Sequence, residues 1–145
     1  IYETVIYFTG NRSLSYIRYV SLSLALVLLI ISLLSIHLHY TFISFLLASL
    51  ILFVVATNKR IVRHLTNFFK GYVVSLVPFF ILNGILTKMP VVLYNNSENL
   101  KLRIYSIPIE DMVYLLSLLF INFSLYEIFR GYDRNRQTEA QGSNR

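Results

Sequence analysis

Two adjacent carboxylic acids, Glu110 and Asp111, are the residues of this sequence best placed to do chemistry. They follow Pro108 and open an apolar stretch over residues 112–129, in which Glu127 is the one formal charge. Ionisable side chains are costly inside a membrane, and a hydrophobic segment that carries them is read by default as a functional site. Burial away from water and a neighbouring second acid both raise the pKa of a carboxylic acid, so that it stays protonated near neutral pH. Only a protonated acid can donate a proton to a weak base such as an alkene. The pair therefore suits proton transfer in an apolar setting.

The same residues also fit an ordinary helix start. Proline is favoured at the first helical position, and acidic side chains in the first turn complement the helix dipole. Taken alone, Pro108, Glu110 and Asp111 leave a structural and a catalytic interpretation open.

The chain that positions these acids has the composition of an integral membrane protein. Hydrophobic residues make up 56% of its 145 residues and charged residues only 14%, with a mean hydropathy of +0.62. The apolar residues come in long blocks, and about 20 of them in a helix cross a hydrocarbon core of roughly 30 Å. We therefore predict an all-α integral membrane protein, a four-transmembrane-helix bundle over residues 1–130, followed by a disordered polar tail over 131–145. The predicted helices cover about 17–36, 40–56, 69–86 and 108–129.

The net charge of +6 is explained by membrane topology rather than by nucleic-acid binding, because the basic residues lie between the apolar blocks. Four spans place the N-terminal segment, the loop after the second helix and the C-terminal tail on one side, and these carry ten of the 13 basic residues. The positive-inside rule then predicts cytoplasmic termini, with the acids at the opposite face.

Two helix faces are predicted to line a site. On the third helix, Tyr72, Phe79 and Asn83 share one face, and Pro78 is expected to kink the helix and open space. On the fourth helix, a polar arc accompanies the acids. It comprises Tyr114, Ser117, Asn122 and Ser124.

Aromatic faces can stabilise a carbocation without quenching it. The candidates are Tyr72, Phe79, Tyr114 and Phe123. Glu127 lies about 25 Å from Glu110 along the helix, too far to act in the same pocket.

The acids also close a longer signature. It begins at Asn83-Gly84-Ile85-Leu86-Thr87, continues through Pro90-Val91-Val92-Leu93-Tyr94-Asn95-Asn96-Ser97-Glu98-Asn99-Leu100 and Arg103-Ile104, and ends at Ile107-Pro108-Ile109-Glu110-Asp111. This order of residues resembles the membrane-integral lycopene cyclase domain of carotenoid biosynthesis, found in bacterial heterodimeric cyclases and in bifunctional fungal enzymes. The resemblance is strong over residues 83–127 and rests on hydropathy elsewhere.

The resemblance implies a tandem architecture. Related single-chain proteins look like two repeats, each with its own Pro-x-Glu-acid motif, and this chain contains one such motif, so it resembles the C-terminal repeat alone. Ile1-Tyr2-Glu3 echoes Leu125-Tyr126-Glu127, which would fit if Ile1 lay at the end of an earlier, equivalent helix.

The function implied by the resemblance is a non-redox isomerisation, in which a proton starts the cyclisation of acyclic carotene ends to ionone rings. Glu110 and Asp111 match the catalytic acidic motif. The residues predicted to support them or line the substrate pocket are Asn83, Tyr94, Asn95, Asn96, Arg103, Pro108, Tyr114 and Asn122. We expect no metal and no cofactor; the chain has no cysteine for a thiolate site and no Gly-x-Gly-x-x-Gly run. The expected partners are a lycopene-like carotenoid, the lipid bilayer, and an N-terminal repeat or homologous subunit, with no nucleic acid.

Several alternatives stay open at the level of sequence. Residues 94–96 form either a simple turn or a lid over the acids, and Arg103 either pairs with an acid or anchors the chain at the membrane interface. Asn122 is a candidate for a hydrogen bond across the bundle. The chain is alternatively a non-catalytic subunit that completes a partner cyclase, or a small proton- or solute-conducting bundle. The sequence also leaves open the ring type, mono- versus bicyclisation, and which acid donates the proton.

Overall fold

The computed structural model describes residues 2–10, 14–59, 61–89 and 91–142. In chain order its elements are α1 (Tyr2–Thr9), α2 (Ile17–Leu34), α3 (His39–Thr57), a 3₁₀ turn (Val62–His64), α4 (Leu65–Lys88), β1 (Arg103–Ile104), β2 (Ile107–Pro108) and α5 (Ile109–Gly142). Pro90 of the signature, Arg12, Arg60, Ile1 and residues 143–145 lie outside the described residues.

Four of these helical segments are long and apolar enough to cross a membrane. They are Ile17–Leu34, His39–Thr57, Val62–Lys88 and Ile109–Arg130. The predicted all-α, four-helix membrane bundle is therefore confirmed. In addition, α1 forms a short helix before the first span.

Small residues bring α2 and α3 close together. Ala25 and Ala48 are almost fully buried, and the Ser49 hydroxyl donates to the Ala25 carbonyl at 2.8 Å. The Ser32 hydroxyl likewise donates to the Phe42 carbonyl at 2.9 Å. Such side chains let helix backbones approach and supply the polar contacts that hold transmembrane helices together. These contacts fix the position of α3, and α5 packs against it.

The core continues between α4 and α5 through aromatic rings. Phe68 stacks on Phe120 with ring centroids 3.8 Å apart, and Phe123 packs beside them. Helix α4 begins at Leu65, about a turn earlier than predicted, because the 3₁₀ turn leads directly into it. It continues as one helix through Pro78, whose side chain is exposed.

A two-residue antiparallel hairpin precedes α5, and the sequence analysis did not predict it. Arg103 pairs with Pro108 and Ile104 with Ile107, while Tyr105 in the turn adopts a left-handed φ of 60°. Pro108 thus ends a strand and lies just before the helix, which starts at Ile109 rather than at the proline. Strands of two residues are too short to show alternation in the sequence.

Helix α5 is longer than its apolar part. Its backbone is helical to Gly142, whereas a disordered tail was predicted from Gly131. The segment is polar enough to suggest disorder, but a helix already nucleated by the span can be extended by residues of good helix propensity, and residues 131–142 include two Arg, two Gln, one Glu and one Ala.

Candidate functional site

The two acids lie in the first turn of α5, inside the protein. The exposed fraction of Glu110 is 0% and that of Asp111 is 7%. Carboxyl groups are rarely buried without partners, since removing them from water is costly. Their partners come from the start of α3 and from the loop over residues 94–102.

That loop is fixed to the ends of both helices. The Glu98 carbonyl accepts hydrogen bonds from the backbone N–H groups of Tyr40 and Thr41, at 3.2 and 3.4 Å. The Ile109 N–H donates to the Leu102 carbonyl at 3.1 Å. These contacts satisfy backbone donors at two helix starts and hold the loop over the acids.

Glu110 uses one carboxyl oxygen and leaves the other without a partner. Its Oε1 accepts hydrogen bonds from the Thr41 hydroxyl at 2.6 Å and from the Leu100 N–H at 2.7 Å. Among the described residues, no group is hydrogen-bonded to Oε2, although that atom is buried. A buried oxygen without a partner is costly unless it carries a proton or meets a ligand.

Asp111 is held differently, because each of its oxygens accepts a phenol hydrogen. The Tyr40 hydroxyl donates to Oδ1 and the Tyr94 hydroxyl donates to Oδ2. Burial raises the pKa of Tyr94 above its ordinary value, and the hydrogen bond to Asp111 and the charge of that residue raise it further. The Tyr94 phenol therefore keeps its proton and remains a donor near neutral pH.

Arg103 contacts the loop rather than the acids. Its guanidinium donates to the Asn96 side-chain oxygen and, at 3.3 Å, to the Ser106 carbonyl, and it lies 5.7 Å from the centroid of the Tyr94 ring. Within the described part of the chain, no basic side chain forms an ion pair with Glu110 or Asp111. The donors around the acid pair are thus neutral.

The segment at residues 94–96 combines both roles considered for it. The Asn95 side-chain oxygen accepts from the Ser97 N–H at 3.1 Å and from the Ser97 hydroxyl at 2.7 Å, the pattern of an Asx turn. Tyr94 extends from this turn to Asp111 and Asn96 bonds to Arg103. The turn is therefore what orients the tyrosine lid.

Three other predicted site residues are not brought to the acids. Asn83 is half-buried on α4, where its backbone carbonyl accepts from Thr87. Tyr114 is 44% exposed, and the Asn122 amide donates to the Leu118 carbonyl of its own helix at 2.8 Å. Asn122 is also about 16 Å along α5 from Asp111.

Sequence reasoning missed Tyr40, Thr41 and the Leu100 N–H. The only sequence signal was a pair of hydroxyl side chains at the start of an apolar block, which is also typical of a membrane interface. Tyr40 meets Asp111 across 71 positions of sequence, so only the tertiary fold identifies it.

A cavity of about 320 Å³ lies between α1, α4 and α5. Its lining residues are Tyr2, Phe68, Gly71, Tyr72, Ser75, Leu119, Asn122, Phe123 and Tyr126. The Tyr72 hydroxyl donates to the carbonyl of Met112, the residue after Asp111, at 3.0 Å. Of the aromatic residues predicted to stabilise a cation, Tyr72 and Phe123 line this cavity, whereas Phe79 packs against Phe80.

Comparison with known protein families places the chain in one family. The family model described as lycopene cyclase matches residues 37–129, more than half of the chain. The chain belongs to the lycopene cyclase family. The matched residues include Tyr40, Thr41, Tyr94, Glu110 and Asp111. As a member of this family with four apolar spans, it is a multi-pass membrane protein with a role related to carotenoid cyclisation. No curated protein and no solved structure matches the chain.

Proposed function

We propose that this lycopene cyclase family member is itself the catalyst, an isomerase that converts acyclic carotene ends into ionone rings. The observation that carries the proposal is the buried Glu110 oxygen, Oε2, which has no hydrogen-bond partner among the described residues. Family membership supplies the carotenoid substrate class.

The roles of the two acids follow from their different contacts. Both oxygens of Asp111 already accept phenol hydrogens, whereas Oε2 of Glu110 is free to carry a proton and transfer it. Glu110 therefore donates the proton to a terminal C=C bond of the carotene. Asp111 remains in place beside the resulting carbocation, where a preorganised charge is most effective.

The reaction needs no oxidant or reductant. Protonation gives a tertiary carbocation, an internal C=C bond attacks it to form the ring C–C bond, and loss of a proton from the ring restores the double bond. That proton returns to the acid pair, so the carotene is isomerised and the carboxyl groups are regenerated. Exclusion of water matters because water would trap the cation.

We further propose that the active unit contains a second domain of the same kind, either an N-terminal repeat or a homologous subunit. The single acidic motif of this chain supports that architecture. The distribution of basic residues supports cytoplasmic termini and an acid pair at the opposite face. Reporter fusions at the two ends and in the loop near residue 97 test this orientation, which fails if the loop and the termini report the same side.

The test of the catalytic proposal is pigment analysis in cells that accumulate lycopene. The full-length gene and, separately, this 145-residue region are expressed with Glu110→Gln and Asp111→Asn variants, and the carotenoids are separated by chromatography. We expect γ- or β-carotene from the full gene and a loss with Glu110→Gln of at least about 100-fold, the low end of a general-acid contribution.

Two outcomes would contradict the proposal. Unchanged lycopene despite good membrane expression of the full gene would indicate another substrate or a partner that catalyses the reaction. Normal ring formation by an assembled Glu110→Gln protein would indicate that this chain is a non-catalytic subunit.

A further inference from the structure

Asn99 lies in the loop over the acids, and only 2% of it is exposed. Its side-chain oxygen accepts a hydrogen bond from the Lys101 N–H at 2.9 Å, and its amide donates to the Asn95 carbonyl at 3.3 Å. A buried amide costs free energy unless it is hydrogen-bonded. Here the oxygen and the nitrogen both bond to the backbone of the loop, so Asn99 holds the loop in one shape.

The residues on either side of Asn99 both bond to the site. Before it, the Glu98 carbonyl accepts from the N–H groups at positions 40–41, whose hydroxyls donate to the two acids. After it, the Leu100 N–H donates to Oε1 of Glu110 at 2.7 Å. The loop therefore contacts the acid pair and the start of α3 directly on both sides of this buried side chain.

The hydrogen bond between Lys101 and Asn99 sets the direction of the Leu100 N–H. An Asn oxygen that accepts from the N–H two residues further on closes an Asx turn. The N–H of the middle residue, Leu100, takes no part in that turn and donates to Glu110 instead. Lys101 has a left-handed φ of 60°, which is costly for a residue with a Cβ and persists only where neighbouring contacts stabilise it. The bond to Asn99 is such a contact.

The amide of Asn99 acts on the other acid through Asn95. The Asn95 carbonyl belongs to the residue after Tyr94, whose hydroxyl donates to Asp111. Asparagine suits both tasks, because its short side chain carries an acceptor and a donor. A single buried side chain thus links the donor of one acid to the donor of the other.

We propose that Asn99 is a positioning residue for the proton transfer. It presents the Leu100 N–H to Glu110. It also fixes the turn from which Tyr94 reaches Asp111. The inference rests on the proposed function: while Oε1 of Glu110 is held by the loop, Oε2 is the oxygen that transfers the proton.

Kinetics separate a positioning role from substrate binding and from folding. The full-length protein and its Asn99→Ala variant are compared in membranes that contain lycopene, and kcat and KM are measured per inserted protein. We expect kcat to fall by about tenfold, the effect of losing a hydrogen bond to a carboxyl group, and KM to change by less than about twofold. An unchanged kcat, with only the amount of inserted protein reduced, would overturn the inference.

The left-handed φ of Lys101 allows a rescue experiment with a matched control. Glycine adopts a positive φ without steric cost, so Lys101→Gly should restore the kcat of Asn99→Ala by about threefold or more. Tyr105 also has a φ of 60°, but it is 79% exposed in the turn between β1 and β2. Tyr105→Gly should therefore leave the kcat of Asn99→Ala unchanged. No recovery, or equal recovery with both glycines, would overturn the inference.

The infrared vibrations of Glu110 test the contact itself, without turnover. The difference between the spectra of the parent and of Glu110→Gln isolates a C=O stretch if the acid is protonated, and carboxylate stretches if it is ionised. Either kind of band shifts when Oε1 loses a hydrogen-bond donor. We expect a shift in Asn99→Ala and a smaller one in Asn99→Ser, because a serine hydroxyl closes the same turn more weakly. If Asn99→Ala does not insert, the comparison with Asn99→Ser decides.

The inference and the proposed function fail in different ways. A Glu110 band that is identical in the parent and in the Asn99 variants would refute the positioning role and leave Glu110 as the acid. Full ring formation by Glu110→Gln, or carboxylate stretches of Glu110 near neutral pH, would refute the protonated acid. If those stretches still shift in Asn99→Ala, Asn99 remains the residue that presents the Leu100 N–H.

Discussion

The two ends of the α5 span, Ile109–Arg130, each hold a carboxyl group that accepts a hydrogen bond from a tyrosine hydroxyl, but among the described residues only the second end has basic side chains beside that carboxyl group. At the start of the helix, Glu110 and Asp111 are surrounded by neutral donors. At the other end of the span, Glu127 accepts from the Tyr2 hydroxyl and lies 3.7 Å from both the His64 and the Arg130 side chains.

The second end is a clamp between α1 and α5. Tyr2 donates to Glu127 while Tyr126 donates to Glu3, so the two Tyr-Glu pairs exchange partners. Arg130 reaches both glutamates, at 3.1 Å from Glu3 and 3.7 Å from Glu127. Within the short sequence echo, Tyr2-Glu3 and Tyr126-Glu127 thus make reciprocal contacts.

The difference shows why burial alone does not identify a reactive acid. A carboxylate next to cations is stabilised in its charged form and has little tendency to hold a proton. Among the described residues, Glu110 has no cation within ion-pair distance, and one of its oxygens has no hydrogen-bond partner. The partners of each acid, rather than its depth, therefore separate the proposed catalytic end from the structural end.

Neutralising one acid at each end of the span tests whether the two ends differ in function. Glu110→Gln should lower ring formation by at least about 100-fold, whereas Glu127→Gln should lower it by less than about threefold, because general-acid catalysis is lost only in the first. Chromatography of the pigments, normalised to membrane-inserted protein, measures both. Equal losses in the two variants would mean that Glu127 also takes part in the chemistry.

A smaller change removes one neutral donor from the acid pair. Thr41→Val keeps the shape of the side chain and takes away the 2.6 Å hydrogen bond to Glu110. We expect activity to fall by roughly tenfold, since a hydrogen bond of this kind contributes about 1–2 kcal/mol. Thr57→Val at the exposed end of the same helix is the control, because that hydroxyl bonds only to its own helix. The prediction fails if both valine variants turn over alike.

The sequence predicted the spans and the acids but not the surroundings of the acids. Hydropathy locates the four spans because each must cover the apolar thickness by itself. Tyr40 and Thr41 have no such local requirement: they reach Asp111 and Glu110 across about 70 positions, through helix packing that no periodicity encodes. Arg103 and Asn122 show the converse, because their residue types suit a site but their contacts lie elsewhere. Arg103 bonds to Asn96 in the neighbouring loop, and Asn122 bonds to its own helix.

The clamp end can be loosened with little effect on catalysis. Arg130 and Glu3 are about half exposed, so their ion pair is screened by solvent and contributes no more than roughly 1 kcal/mol. Arg130→Gln should therefore lower the thermal midpoint in detergent by only a few degrees. The yield of cyclised pigment should be unchanged. A large loss of pigment with normal stability would contradict the separation of the two ends.

The smallest expected effect is a loss of stability at alkaline pH, to which both ends contribute. Burial raises the pKa of Tyr2 and that of Tyr94, and the neighbouring carboxylates raise each further. A folded-state pKa above the unfolded value of about 10 means that the stabilisation is complete below pH 10 and is lost as the pH rises further. Between about pH 9 and pH 11, the midpoint temperature of thermal unfolding should therefore fall less steeply in Tyr2→Phe and Tyr94→Phe than in the parent. Because Tyr94 alone of the two contacts the acid pair, only Tyr94→Phe should also lower ring formation near neutral pH. An equal loss in both variants would mean that the clamp, too, positions the acids.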